Sequence, residues 1–192
     1  MHSFRNSFLR TSATASICLL LSRTPLHAAP IATMTASDAK AYSGVLPAAD
    51  RSSFKPSKDA QFYAINAAGQ TVGYLYSETQ NWKGDDRGPC LLTWLDPQNG
   101  HVGRLETIGA GDFEAETCQK LEAIGVVGGN GGSTLKLGAI YSASSPNADV
   151  REPVVVSADL STGDMTIDSQ ASSRASDAGA TTIPSMRKLI GK

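Results

Sequence analysis

The chain is poor in the residues on which catalysis usually draws. Its 192 residues hold three histidines, three cysteines and two tryptophans. His2 and His27 lie in an N-terminal segment that reads as a removable leader, which leaves His101 alone. A Ser-His-Asp triad needs that histidine beside an activated serine, and no G-x-S-x-G elbow accompanies it. His101 therefore reads as a surface histidine near a strand end. Two distant cysteines and one histidine match no structural zinc spacing. The glycine-rich run at 128–132, GGNGG, lacks the lysine that a phosphate loop places after its last glycine. Ser133 stands where a calcium repeat would want Asp. No cofactor and no metal are expected. A basic excess is also missing: 17 Lys and Arg face 18 Asp and Glu, for a net charge of −1. Nucleic acid is thereby disfavoured as a partner, since phosphate contacts need clustered cations. No apolar run approaches the roughly 20 residues that span a bilayer.

What is present begins with the leader. Arg5 and Arg10 form a basic start, residues 15–21 (ASICLLL) an apolar centre, and residues 22–29 (SRTPLHAA) a stretch broken by Pro25 and ending in small residues. That order is the signal-peptide order, with cleavage after Ala28 favoured by Leu26 and Ala28. An organelle transit peptide is the rival, because the segment is rich in Arg and Ser and lacks acids. Cys18 follows Ser16 and Ile17, which does not suit lipid attachment. Removing residues 1–29 takes away three of the basic residues and no acid, so the mature chain sits near −4. Cys90 and Cys118 then remain, and an even pair in an exported chain reads as one disulfide. Closing its loop would stabilise the fold by about 3–4 kcal/mol in the chain-entropy view. The expected location is periplasmic or secreted.

Along the chain, residues 30–58 show no sustained pattern and read as a flexible leader or a loosely docked arm. Residues 59–168 read as a β-rich, disulfide-tied domain. Three hairpins stand out: QFYAIN and TVGYLY around AAGQ, CLLTWL and HVGRLETI around DPQNG, VVVSA and DMTID around DLSTG. In each, Asn or Asp enters the turn and Gly leaves it, as positive φ demands. Val72–Leu75 and Val102–Leu105 share V-G-x-L. Phe113, Thr117, Leu121 and Ile124 fall at helical spacing, which predicts a short amphipathic helix over 112–124. Leu135, Leu137, Ala139 and Tyr141 alternate onto one face that should be buried, and Trp94 should lie in the core. Residues 169–182 read as a polar linker, and 183–192 as a short C-terminal helix with Pro184 in its first turn. The expected fold is mainly β: an antiparallel, hairpin-built sandwich or small barrel of about eight strands with one short helix.

The residues open to function are few. Trp82 sits on a polar stretch with Asp85, Asp86 and Arg87, and Trp and Arg dominate interface hot spots. Asp112, Glu114 and Glu116 are the densest acids; with Glu106 and Glu122 they could steer a basic protein partner. The predicted contact surface is Trp82, Asp85, Asp86, Arg87 and the Glu114–Glu116 edge. On this reading the chain is an exported, non-enzymatic domain that binds or inhibits another protein. One alternative is a small extracellular or cell-wall glycan hydrolase using Asp112, Glu114 or Glu116 as a carboxylate pair. Another is a structural component of the envelope.

Overall fold

The computed structural model describes residues 32–81, 87–129, 132–145 and 147–191. Among them, two antiparallel sheets are built in chain order. Sheet A runs β1 (Thr33–Ala36), β2 (Gln61–Ala67), β3 (Gln70–Asn81), β4 (Arg87–Leu95) and β5 (Val102–Glu106). Sheet B runs β6 (Thr117–Gly129), β7 (Thr134–Ser144), β8 (Asp149–Asp159) and β9 (Met165–Ile167). Each strand pairs with its sequence neighbour, so short hairpins suffice to make each sheet.

The turns show why these hairpins form. Asp96 and Asp159 each accept a hydrogen bond two residues on, from the amides of Gln98 and Ser161, both at 2.7 Å. Each then accepts through its own carbonyl from a glycine amide, Gly100 at 2.9 Å and Gly163 at 2.8 Å. Those glycines adopt φ of 72° and 76°, the left-handed region. The β2–β3 turn places Ala68 at φ 51° beside Gly69 at 77°, a position where alanine is strained.

Alternation on the strands sorts side chains into layers. Leu75, Leu92, Trp94, Leu137, Tyr141, Val154 and Val156 meet between the sheets in the main core. Their neighbours in sequence point the other way. Tyr76 and Leu95 face outward from sheet A and are covered by Tyr42 and Leu46. Ile140 and Val155 face outward from sheet B and are covered by Ala171, Ala175 and Met186. The result is helix, sheet, sheet, helix. The covering helices are α1 (Ala39–Val45) and α2 (Ala48–Arg51) on sheet A, with α3 (Ser169–Asp177) and α4 (Ile183–Ile190) on sheet B. The Cys90–Cys118 disulfide joins β4 to β6, and so ties one sheet to the other.

Three expectations need correction. First, 112–124 is not a helix. A single 3₁₀ turn at Gly111–Phe113 precedes β6, which pairs with β7 from Thr117 onward. Register shifts after Cys118, Leu121 and Val126 interrupt the two-residue alternation. The buried positions therefore fall at 118, 121, 125 and 127, which imitates helical spacing. Second, of the two readings of 30–58, the flexible leader gives way in the described part to the docked arm. Its β1 pairs with β2, Asp38 caps α1 by accepting from the Ala41 amide at 2.7 Å, and Tyr42 is buried among aromatic rings. Third, 169–177 is helix α3. Asp168 caps it, accepting from the Ala171 amide at 3.0 Å, and Ser172 Oγ accepts the Val155 amide at 2.8 Å. The Ser/Ala composition that suggested a linker supplies the small face on which the helix packs tightly against β8.

The shared V-G-x-L segments acquire a physical meaning. Trp94 is directly opposite Gly103 on β5 and Leu75 on β3, which puts Gly73 diagonally beneath its ring. Gly73 clears space for the buried indole ring, and Gly103 for the Gly163 carbonyl beside it.

Candidate functional site

The outer face of sheet A carries an open cleft of about 510 Å³. Its floor comes from β3, β4 and β5, where Tyr76 pairs with Thr93 and Thr93 with Arg104. The next row aligns Glu78, Leu91 and Glu106. The arm closes one side: Tyr42, Leu46, Asp50, Phe54 and Lys55 line it. Arg51 donates to the carbonyls of Gly44 at 3.1 Å and Leu46 at 2.9 Å, which fixes α1 against α2. The aromatic packing is dense: Tyr42 stacks on Phe54 at 5.1 Å between ring centroids, and Phe62 on Tyr76 at 5.0 Å. Such stacking holds the arm on the sheet.

Polar groups sit at the edge of this aromatic cluster. The Tyr76 hydroxyl donates to Glu78 Oε2. Burial raises the Tyr42 phenol well above its ordinary range, with Arg104 lowering it and Glu78 raising it further. Burial likewise raises Tyr76, with the hydrogen bond to Glu78 adding to the effect. Both phenols are thus neutral donors. Arg104, Lys55 and Asp50 are exposed.

The residues singled out in the sequence are not gathered at one place among those described. Trp82, Asp85 and Asp86 lie outside the described residues; Arg87 opens β4, where its backbone pairs with Asn81. Asp112 is exposed and accepts from Ser169 Oγ at 2.5 Å, and Glu114 is exposed. Glu122 is paired with Arg151 at 2.9 Å and Lys120 at 3.6 Å. His101 is exposed, 3.8 Å from Asp164. Because 117–129 is strand, Asp112 and Glu116 share no helical face.

Glu116 instead turns inward. Its Oε2 is buried with no hydrogen-bond partner among the described residues. Burial holds its carboxyl above the usual range. Glu152 on β8 is also raised, first by burial and then by the charge of Glu116, against a hydrogen bond from Ser176. Sequence reading missed Glu152 because strand β8 comes beside Glu116 only through the β6–β7–β8 meander. These carboxyls ionise at higher pH in the folded chain than in the unfolded one. The stability they contribute is present below the unfolded value and is lost as pH rises through the folded value. Glu116→Gln, neutral throughout, is accordingly expected to raise the urea midpoint at pH 7 and to leave it unchanged below about pH 4.

A second, more apolar groove of about 860 Å³ lies between β1, β6 and α4. Arg187 crosses it to donate to the Val126 carbonyl at 2.8 Å, and Gln61 donates to the Leu121 carbonyl at 2.8 Å. Side chains thereby occupy two acceptors on the free edge of β6. Among the described residues, no helix is long and apolar enough to cross a membrane. No protein-family model matches the chain, and no curated protein and no solved structure matches it.

Proposed function

We propose that this chain is an exported binding domain that holds another protein on the outer face of sheet A. The observation that carries the reading is the cleft: an aromatic-floored depression with a charged rim, on a sheet covalently tied to its partner sheet. In sequence, β3 and β4 of that sheet are joined by the segment that holds Trp82, Asp85 and Asp86, with Arg87 opening β4, residue types suited to an interface anchor. Export is supported by the order of residues 1–29 and by the disulfide, a bond that persists mainly in oxidising compartments.

The test is affinity capture from envelope extract and medium with three oxidised baits: the mature chain, Ser53→Trp, and Trp82→Ala/Arg87→Ala. Ser53 is exposed and lines the cleft, so a tryptophan there obstructs it without entering the core. One protein retained in near-equal amount by the unaltered bait, and lost from both variants, is expected. Retention of nothing by the unaltered bait ends the reading. Retention by Ser53→Trp at full strength removes the cleft from it.

A second reading, glycan hydrolysis, draws on Glu116 and Glu152. Both are half-buried and raised, the property a general acid needs. Turnover of cell-wall glycan that disappears in a folded Glu116→Gln variant would favour it over binding.

A further inference from the structure

The cleft on sheet A carries charges of both signs that do not neutralise one another. Glu78 stands on β3 and Arg104 on β5, two strands apart and one cross-strand row out of step. At ordinary strand spacing and rise, their Cα atoms lie roughly 12 Å apart. Among the described residues, no carboxylate comes within 4.0 Å of Arg104 or of Lys55. Tyr42, Glu78 and Arg104 line the same cleft, so the phenol shares it with a charge of each sign. Between Glu78 and Arg104 lie Leu91 and Thr93 of β4, so the floor separating the two charges carries one apolar and one neutral polar side chain.

A ligand of one sign would meet its own sign here. An anion drawn to Arg104 and Lys55 faces Glu78 and Asp50, and a cation drawn to Glu78 faces Arg104; like charges across an interface are repulsive. A neutral ligand would leave both ionic groups without a charged counterpart. The cleft's volume falls in the range of sites for small ligands.

We infer that the cleft accepts a zwitterion of the amino-acid or short-peptide class, with its ammonium at Glu78, its carboxylate at Arg104 and its backbone over Leu91 and the Tyr42 hydroxyl. The inference deepens the proposed binding role and rests on the cleft being the binding surface. A protein partner meets the same requirement by presenting one basic and one acidic group a short distance apart.

Calorimetric titration of the oxidised mature protein tests it with four probes: trialanine, N-acetyl-trialanine, trialanine amide and the doubly blocked peptide. Trialanine is expected to bind saturably. Blocking either end should weaken binding roughly tenfold or more, the scale of one charge-assisted hydrogen bond. Glu78→Gln should abolish the difference made by the acetyl group, and Arg104→Gln the difference made by the amide. Equal binding of the doubly blocked peptide, or sensitivity to one end alone, overturns the zwitterion. No heat from any probe also overturns it. In that event the Ser53→Trp bait separates the two ideas: lost capture keeps the cleft as a protein-binding surface, and unchanged capture removes both.

Discussion

Gly73→Ala is expected to cost about 3 kcal/mol of stability, at the upper end of the range for overpacked cores. A methyl group at that position would fall within the six-membered ring of Trp94, against Cζ2, Cε2 and Cη2. Trp94 is fully buried and has nowhere to withdraw. At the pyrrole end of the indole a Cβ at Gly163 would lie 2.7 Å from Cδ1, and one at Gly103 would overlap the Gly163 carbonyl. Gly73 and Gly163 thus border the indole's slot, and Gly103 makes room for the Gly163 backbone. Urea unfolding of the oxidised protein reads the effect as a lowered midpoint. Gly44→Ala is the control, because nothing lies within 4 Å of its Cβ and alanine favours the helix it occupies. Trp94→Phe shortens the ring and opens a cavity, so it is destabilising by itself. Combined with Gly73→Ala, it should cost less than the two single changes added together, since the pair shares one space. Strict additivity would mean that the Trp94 ring does not sit over Gly73.

The same slot shows how much a single sequence reveals. The repeated V-G-x-L was visible, but its cause was not, because it requires knowing that β3 and β5 flank the same residue of β4. Hairpins at 96–100 and 159–163 were readable because Asp and Gly do their work within five residues. The β7 face of Leu135, Leu137, Ala139 and Tyr141 was readable because that strand pairs with β8 without a register shift. Strand β6 was misread for the opposite reason: three shifts within thirteen residues convert alternation into something close to helical period. The arm and α3 lacked sequence signals because their packing is tertiary. Tyr42 is held by rings at 54, 62 and 76, and Ala171 and Ala175 by the outer face of sheet B. The cleft follows the same rule. Glu78 and Arg104 are ordinary outward positions on their own strands. They become a candidate site only once the β4 strand lies between them and the arm has folded over the sheet.

Loss of the Cys90–Cys118 bond should produce the other large effect, about 3–4 kcal/mol for a loop of this length in the chain-entropy view. The sequence separation is 28 residues, and the Cα atoms stand 5.4 Å apart. The bond is not needed to align the strands it joins. Cys90 keeps its backbone place through its amide to the Ile108 carbonyl at 2.9 Å and its carbonyl to the Thr107 amide at 2.8 Å. Cys118 pairs with Ala143 on β7, and its sulfur lies 3.5 Å from Thr79 Oγ1. Cys90→Ala/Cys118→Ala should therefore retain the native circular dichroism while unfolding at lower urea. The unaltered protein in reductant should approach the same midpoint. It should do so slowly, because both sulfurs are sealed from solvent, with the two residues no more than 1% exposed. Reduction must then await an opening of the two sheets, so its rate should follow urea more closely than it follows reductant concentration. A midpoint that does not move on reduction would show that apolar packing between β4 and β6 holds the sandwich closed without the bond. A midpoint that falls as expected has a cellular consequence: the same chain kept in a reducing compartment would lose a large share of a small domain's stability. The stability expected from the bond is then available only in an oxidising compartment, the kind of compartment the proposed export would supply.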